Sequence, residues 1–284
     1  MDLKTIRLFY RRLSGNKVFS LISIGGFSLS LAVVVLLLSF IRSEKQYDTS
    51  IPEVGQIYRI LTNDHSSRIP EQSRDKLLSE FPQIRAATNV LFNPSPVLYE
   101  EENYELRVVH TDSGFFRVFS LKILSGQRDH LFRDPHQAVL TRSAARRIFG
   151  EANPIGEMLN VSHEHDVEVV AVVEDFPEKS SLQGDLFCSA ELKITYSLTR
   201  HNDKEAYLYN IFLKLHPAYG PDFLQDTLTA LIHPYMDWRE GREYALQPFR
   251  DAYFDIVRRV HISECLRALS FFVFGIANLT TEHN

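Results

Sequence analysis

The chain has 284 residues, a formal net charge of −5 and an apolar share of 44%, with 20 Phe and 12 Tyr among them. That composition supplies a real core for one or two globular subdomains. Its acidic balance, with no basic face interleaved with aromatics, argues against a nucleic-acid partner.

The first 17 residues hold Lys4, Arg7, Arg11, Arg12 and Lys17 against Asp2, a local charge of +4 that leaves −9 on the rest. Leu3, Ile6, Phe9 and Leu13 share one helical face of this tip, the pattern of an amphipathic helix lying along a membrane surface. An extra turn or two of the following helix is the other reading. Residues 18–41, from Val18 to Ile41, contain no charge between Lys17 and Arg42. At 1.5 Å per residue this stretch reaches about 36 Å, enough to cross a hydrocarbon core of about 30 Å with some tilt. A cleaved signal peptide also reads basic then apolar, but its apolar part is shorter and ends in a small-x-small site, which Leu38-Ser39-Phe40-Ile41 lacks. The basic tip places the N-terminus in the cytoplasm and residues 43 onward outside. Gly25 and Gly26 are small residues of the kind that let membrane helices pack closely, and they are equally ordinary components of a span.

Beyond the span, residues 56–62 alternate as a strand. Residues 70–81 read as a helix with Pro70 in its first turn and Pro82 as its stop, and residues 86–91 as a second strand. In the middle, residues 104–109, 138–141 and 167–173 read as strands, with a short helix over 142–149 that Gly150 ends. A second unit follows: strand 207–215, helix 220–235 with Asp222 near its positive end, and strand 243–248. Two β-α-β units around a β-rich insert define an α+β fold with a split, ferredoxin-like core. Residues 268–281 are uncharged but reach only about 21 Å, too short to span. They read as a buried terminal helix or part of a second membrane helix.

The chain also carries an ordered series of landmarks. Arg11-Arg12-Leu13-Ser14-Gly15-Asn16-Lys17-Val18-Phe19-Ser20 leads into the span, and Tyr47-Asp48 and Ile57-Tyr58-Arg59 follow it. Then come Asp112 with Phe115-Phe116 and Val118-Phe119, Leu124-Ser125-Gly126, Val139-Leu140-Thr141, Ile148-Phe149-Gly150 and Pro154-Ile155-Gly156. Asp175-Phe176-Pro177 and Leu246-Gln247-Pro248 close the series. In order and spacing these resemble an ABC transporter permease of the MacB/FtsX type over residues 1 to about 250. The resemblance implies a porter-type periplasmic core, with residues 43–265 divided into a βαβ subdomain (43–91 and about 190–250) and an inserted one (about 92–189). It implies an inner-membrane location and a core that relays motion from a separate cytoplasmic ABC ATPase. Other permease helices, membrane lipid and a second copy of the chain are the further partners expected. No catalytic residue, cofactor or metal is carried over. Family members continue with further membrane helices. Ala277-Asn278-Leu279 resembles the end of the second one, so the chain reads as truncated within that helix.

Sharper chemistry is weakly motivated. His163 and His165 would share a face if they lay on a strand, but residues 156–167 read as a solvated loop, as do Glu100-Glu101-Glu102 and the turn around His130, Asp134, Pro135 and His136. No nucleophile-elbow, zincin or phosphate-cradling glycine pattern occurs. Cys188 and Cys265 both fall in the outside region, and their pairing is open. The competing function is a single-span, membrane-anchored binding or sensing domain, which requires no further helices.

Overall fold

A computed structural model describes residues 17–44, 47–127, 131–192, 198–201, 204–236 and 241–252. The amphipathic tip, Cys265 and the apolar stretch over 268–281 lie outside the described residues. The chain divides into two compact units, Met1–Tyr47 and Asp48–Asn284.

The described part of the first unit is helix α1, Lys17–Glu44. Within it Ser20–Ser43 has a mean hydropathy of 2.5, the one stretch among the described residues long and apolar enough to cross a membrane. Val18 and Ile41 are exposed, as are Leu21, Phe27 and Leu36 between them.

The second unit alternates strands and helices in the expected order. Strand β1 is Ile57–Thr62, β2 Ile69–Pro70, α2 Gln72–Glu80 and β3 Ile84–Phe92. After the insert, β13 is Lys204–Leu215, α5 Asp222–Ile232 and β14 Tyr244–Pro248. These strands lie in the order β14-β1-β13-β3 with every neighbour antiparallel, which is the ferredoxin-like arrangement of two βαβ units. Helices α2 and α5 cover one face. Leu77, Leu224, Leu228 and Ile232 close on Ile60, Ile211 and Leu213 of the sheet there. The 3.6-residue spacing of Leu224, Leu228 and Ile232 sets that buried stripe.

The insert contains more strands than its sequence pattern predicts. It comprises β4 Ser95–Tyr99, β5 Glu102–Leu106, β6 Val108–Thr111, helix α3 Phe115–Val118 and β7 Ile123–Gly126. Next come β8 Gln137–Thr141, helix α4 Arg142–Phe149, β9 Met158–Val161, β10 His165–Val173 and β11 Leu186–Ser189, after which β12 Leu198–His201 pairs with β13 of the other half. The single strand expected over 104–109 is broken at Arg107. There the backbone N–H and guanidinium both turn to Asp185, at 3.0, 2.9 and 2.7 Å. The expected loop 156–167 holds β9 and a tight turn into β10, with Ser162 and His163 at positive φ. Glu100-Glu101 is the turn of the β4–β5 hairpin, and Glu102 belongs to β5.

Sheet order continues without a break from β3 through β6-β11-β8-β10-β9-β4-β5. On one face of this half, α4 packs Ala144, Ala145 and Ile148 onto Leu140, Val167 and Leu186. Thr141 caps that helix by accepting from Ala144 N, and Gly150 ends it at φ +62°. The opposite face is covered by a single cluster that draws on both halves: Phe115, Phe116, Phe119, Phe187, Phe212 and Phe249 with Ile57, Val90 and Val139. Ring centroids there lie 4.8 Å apart for Phe115–Phe119 and 5.4 Å for Phe119–Phe212, within the favourable range for aromatic pairs.

His110 on β6 sits beside Leu91 and Cys188 in the sheet and is 1% exposed. Neither ring nitrogen has a well-aligned partner. Burial pushes its pKa from 6.5 down to about 4, and a weak backbone interaction at Ser189 offsets this only in part. Below pH 6.5 the unfolded chain therefore binds a proton that the folded chain refuses. Stability should fall by about 3 kcal/mol as the pH drops from 6.5 to about 4. Thermal unfolding of the detergent-solubilised chain across that window checks this, and His110→Phe should flatten the upper part of the slope.

Candidate functional site

The first residues of the second unit, 48–54, are held to the rest of that unit by polar and apolar contacts. Asp48 is 1% exposed and adopts φ +59°. Its N–H donates to Lys179 O at 2.9 Å. Its Oδ1 accepts from Ser180 Oγ at 2.9 Å and Ser181 N at 2.8 Å, and its Oδ2 from Ser181 Oγ at 2.7 Å. A carboxylate with three donors fixed on it is a strong, directional contact. It closes a loop of more than a hundred residues, since its partners lie 132 and 133 positions away. Ile51 and Val54 then enter the aromatic cluster.

Five residues after Asp48, Glu53 makes the second attachment. It also has positive φ, +57°. Its Oε2 meets Lys214 Nζ at 2.6 Å and its Oε1 meets Arg85 at 3.1 Å. Lys214 is 1% exposed and donates as well to Ser120 Oγ at 2.8 Å. The Lys214 ammonium holds the Glu53 carboxyl below its ordinary 4.5 despite an opposing desolvation. Glu53 thus provides the counter-charge that a buried ammonium requires.

Other landmarks meet in pairs of the same kind. Arg59 Nε of Ile57-Tyr58-Arg59 donates to Gln247 Oε1 of Leu246-Gln247-Pro248 at 2.7 Å, directly across β1 and β14. Asp175 of Asp175-Phe176-Pro177 accepts from Ser143 N at 2.9 Å, placing a negative charge at the start of α4, while Phe176 packs on Phe115 and Phe187. Asp112 accepts from Gly114 N and Asn89 N at 2.8 Å each and pairs with Arg74 at 2.5 Å. Gly114 approaches β3 so closely that a Cβ would lie 2.2 Å from Ala87 O. At Gly126 (φ +90°) a Cβ would meet Val170 O at 2.4 Å, so each position needs glycine.

The residues singled out for other chemistry are scattered. His163 is in a turn while His165 starts β10, so the pair does not share a strand face. His136 Nδ1 faces Asp166 O at 2.9 Å, and its N–H donates to Asp134 in the expected turn. His130 lies outside the described residues. Among the described residues no three His, Cys, Asp or Glu side chains are grouped to hold a metal. Cys188 is a free, fully buried thiol that burial pushes up to about 12. Gly25 and Gly26 lie on α1 with nothing within 4 Å of where a Cβ would stand, and Ser30 Oγ bonds Gly26 O at 2.9 Å. What the sequence reading missed is the role of Ser180, Ser181 and Lys214. Their only signal was a lysine inside an apolar strand and two serines after a Pro-closed turn.

Residues 20–231 match the MacB-like periplasmic core domain family, and the chain belongs to it. It is similar in fold to a domain of a permease protein from Porphyromonas gingivalis (TM-score 0.60, 21% identity, 70% of this chain and 93% of that one). It is also similar to the periplasmic region of MacB from Actinobacillus actinomycetemcomitans (TM-score 0.54, 16% identity, 74% and 96%). The extracellular domain of the noncanonic ABC-type transporter YknZ from Gram-positive bacteria has a TM-score of 0.50 at 13% identity, over 67% and 99%. No curated protein sequence matches the chain significantly. The chain therefore carries a MacB-like periplasmic core domain and, in Ser20–Ser43, a helix long and apolar enough to cross a membrane.

Asp48→Ala should lower stability by about 2–4 kcal/mol, because it strands the buried Ser180 hydroxyl and Ser181 N–H as well as removing a charge-assisted contact. Asp48→Asn keeps one acceptor oxygen and should lose less. Amide exchange at Ser181 in both variants, beside their melting temperatures, measures the difference.

Proposed function

We propose that the chain is a permease component of an ABC-type export or mechanotransmission system. Residues 1–17 form its cytoplasmic tip, 18–41 its span and 43–265 its periplasmic core, with subdomains 43–91 plus about 190–250 and about 92–189. A separate cytoplasmic ABC ATPase supplies the work, and the core passes the resulting motion outward. The observation that carries this reading is the double attachment at Asp48 and Glu53. A relay needs its core to move as one body, and these contacts hold the first residues of the second unit to the rest of it. Both attachments reach distant parts of the core, one at 179–181 and the other on β13.

The same reading assigns Gly25 and Gly26 to helix packing against other permease helices or a second copy of the chain. The exposed apolar surface of α1 requires either lipid or such a partner.

Mild-detergent purification from native membranes should recover an ABC ATPase with this chain, and its absence from repeated preparations would overturn the assignment. Gly26→Leu should reduce that recovery. Asp48→Ala should leave recovery intact while uncoupling ATP hydrolysis from transport. Orientation is checked with Glu100→Cys in a Cys265→Ser background, where Cys188 is too buried to react. A membrane-impermeant maleimide should label Glu100→Cys from the periplasmic side in intact spheroplasts. Labelling only after lysis contradicts the orientation.

A further inference from the structure

Strand register gathers several chain segments at one end of the ferredoxin-like half. Ile57 lies opposite Lys214, Ile84 opposite Leu215 and Tyr58 opposite Pro248. His216 N–H donates to Gln83 O at 2.9 Å beside them. Helix α2 closes and α5 opens at this same end, where the ring centroids of Phe81 and Phe223 are 6.0 Å apart. Tyr219 lies 6.1 Å from Phe223 and 6.1 Å from the His216 ring.

Tyr219 is 50% exposed, more than any other aromatic side chain among the described residues of the second unit. Phe81 and Phe223 rest half-buried on the layer under α2 and α5, and Pro82 and Pro217 are exposed next to them. The charged groups at this end are paired among themselves. Lys76 meets Glu80 at 2.6 Å, and Lys214 and Arg85 share Glu53. The end therefore presents aromatic rings and prolines with a polar hydroxyl at their margin. Rings of this kind, apolar in the body and polar at the tip, suit the boundary between lipid and water.

We propose that this aromatic end enters the headgroup layer of the membrane that α1 crosses, with Tyr219, Phe81 and Phe223 as its anchors. The inference rests on the reading of α1 as a span. The covalent chain supports it. Glu44 ends α1 and Asp48 opens the second unit four residues later, at most about 14 Å of extended chain. The connection then reaches this end of the sheet, where Lys214 and Arg85 hold Glu53 and Ile57 begins β1. The outgoing chain leaves β14 from the same end, at Pro248. With no cation left over at the rings, the occupant is the zwitterionic phospholipid surface itself, entered by apolar contact.

Tryptophan reporters test this in the full chain, reconstituted into phosphatidylcholine vesicles with and without bromine on the upper acyl chain. A Trp238→Phe background removes the one native tryptophan. Tyr219→Trp should be quenched about twofold or more by the brominated lipid, the response of an indole held about 5–10 Å into the interface. Phe223→Trp is the second reporter should Tyr219→Trp not fold. Asn63→Trp, at an exposed site past the far end of β1, is the control, about 20 Å away along six strand residues. It should keep its full fluorescence. Vesicle flotation separates this inference from the reading beneath it. Protein that floats with both reporters unquenched overturns the lipid contact and leaves the span intact, whereas protein that does not float overturns both. Quenching of Asn63→Trp equal to that of Tyr219→Trp also overturns the proposal. So does Tyr219→Trp emission that shifts with protein-to-lipid ratio but ignores bromine, since a second copy would then be the occupant.

Discussion

The core depends on one face of phenylalanine rings. Without it, the ferredoxin-like half would have its own hydrophobic layer under α2 and α5, and the insert its own under α4, with the β3–β6 ladder and polar contacts such as Asp48–Ser180 and Lys214–Ser120 between them. Phe115, Phe116 and Phe119 fill the opposite face and touch Phe187 from the insert and Phe212 and Phe249 from the other half. Burying a large aromatic side chain contributes about 1.5–3 kcal/mol, and each well-placed pair adds about 0.5–1.5. The two halves are therefore joined by more than a hinge, and the sheet continues through both.

Much of the ferredoxin-like half was legible because each of its signals is local. Pro82 follows the end of α2, and Leu224, Leu228 and Ile232 mark the buried stripe of α5, whereas Pro70, expected in the first turn of α2, instead ends β2 opposite Leu208. The alternation over 56–62 places β1. The insert was less legible for physical reasons. Strands of four or five residues, such as β9 and β11, offer too few alternations to set a period. Pro96 inside β4 reads as a breaker, though that strand pairs on both sides. The parallel pairings β6–β11 and β8–β10 join segments without a local turn to announce them. The break at Arg107 arises from Asp185, 78 residues away.

The polar landmarks were visible as residues but not as partners. Asp48 gave no hint that its carboxylate is spent on Ser180 and Ser181, nor Arg59 that it faces Gln247. Each contact joins two segments distant in sequence, and each is charged or charge-assisted at one end. Directional contacts of this sort complement the aromatic face, which is strong but tolerant of sliding. Lys214 shows the same logic at higher stakes. A lysine that is 1% exposed is tolerable because Glu53 and Ser120 meet it. Arg107 and Asp185 follow it nearer the surface. Burial opposes ionisation of Asp185, yet the Arg107 guanidinium and N–H hold its carboxyl below the ordinary range.

The register of β1 on β14 has a mechanical corollary. Tyr58, at the start of β1, lies opposite Pro248, at the end of β14. The incoming and outgoing chain of the ferredoxin-like half thus sit side by side at one end of one antiparallel pair. Tension that separates those two points loads the ladder one rung at a time, in peeling geometry, beginning at Tyr58–Pro248 and the Arg59–Gln247 contact beside it. A push applied to both together meets no such weak line. That one pair is the place where the ferredoxin-like half opens like a zip when its two ends are drawn apart.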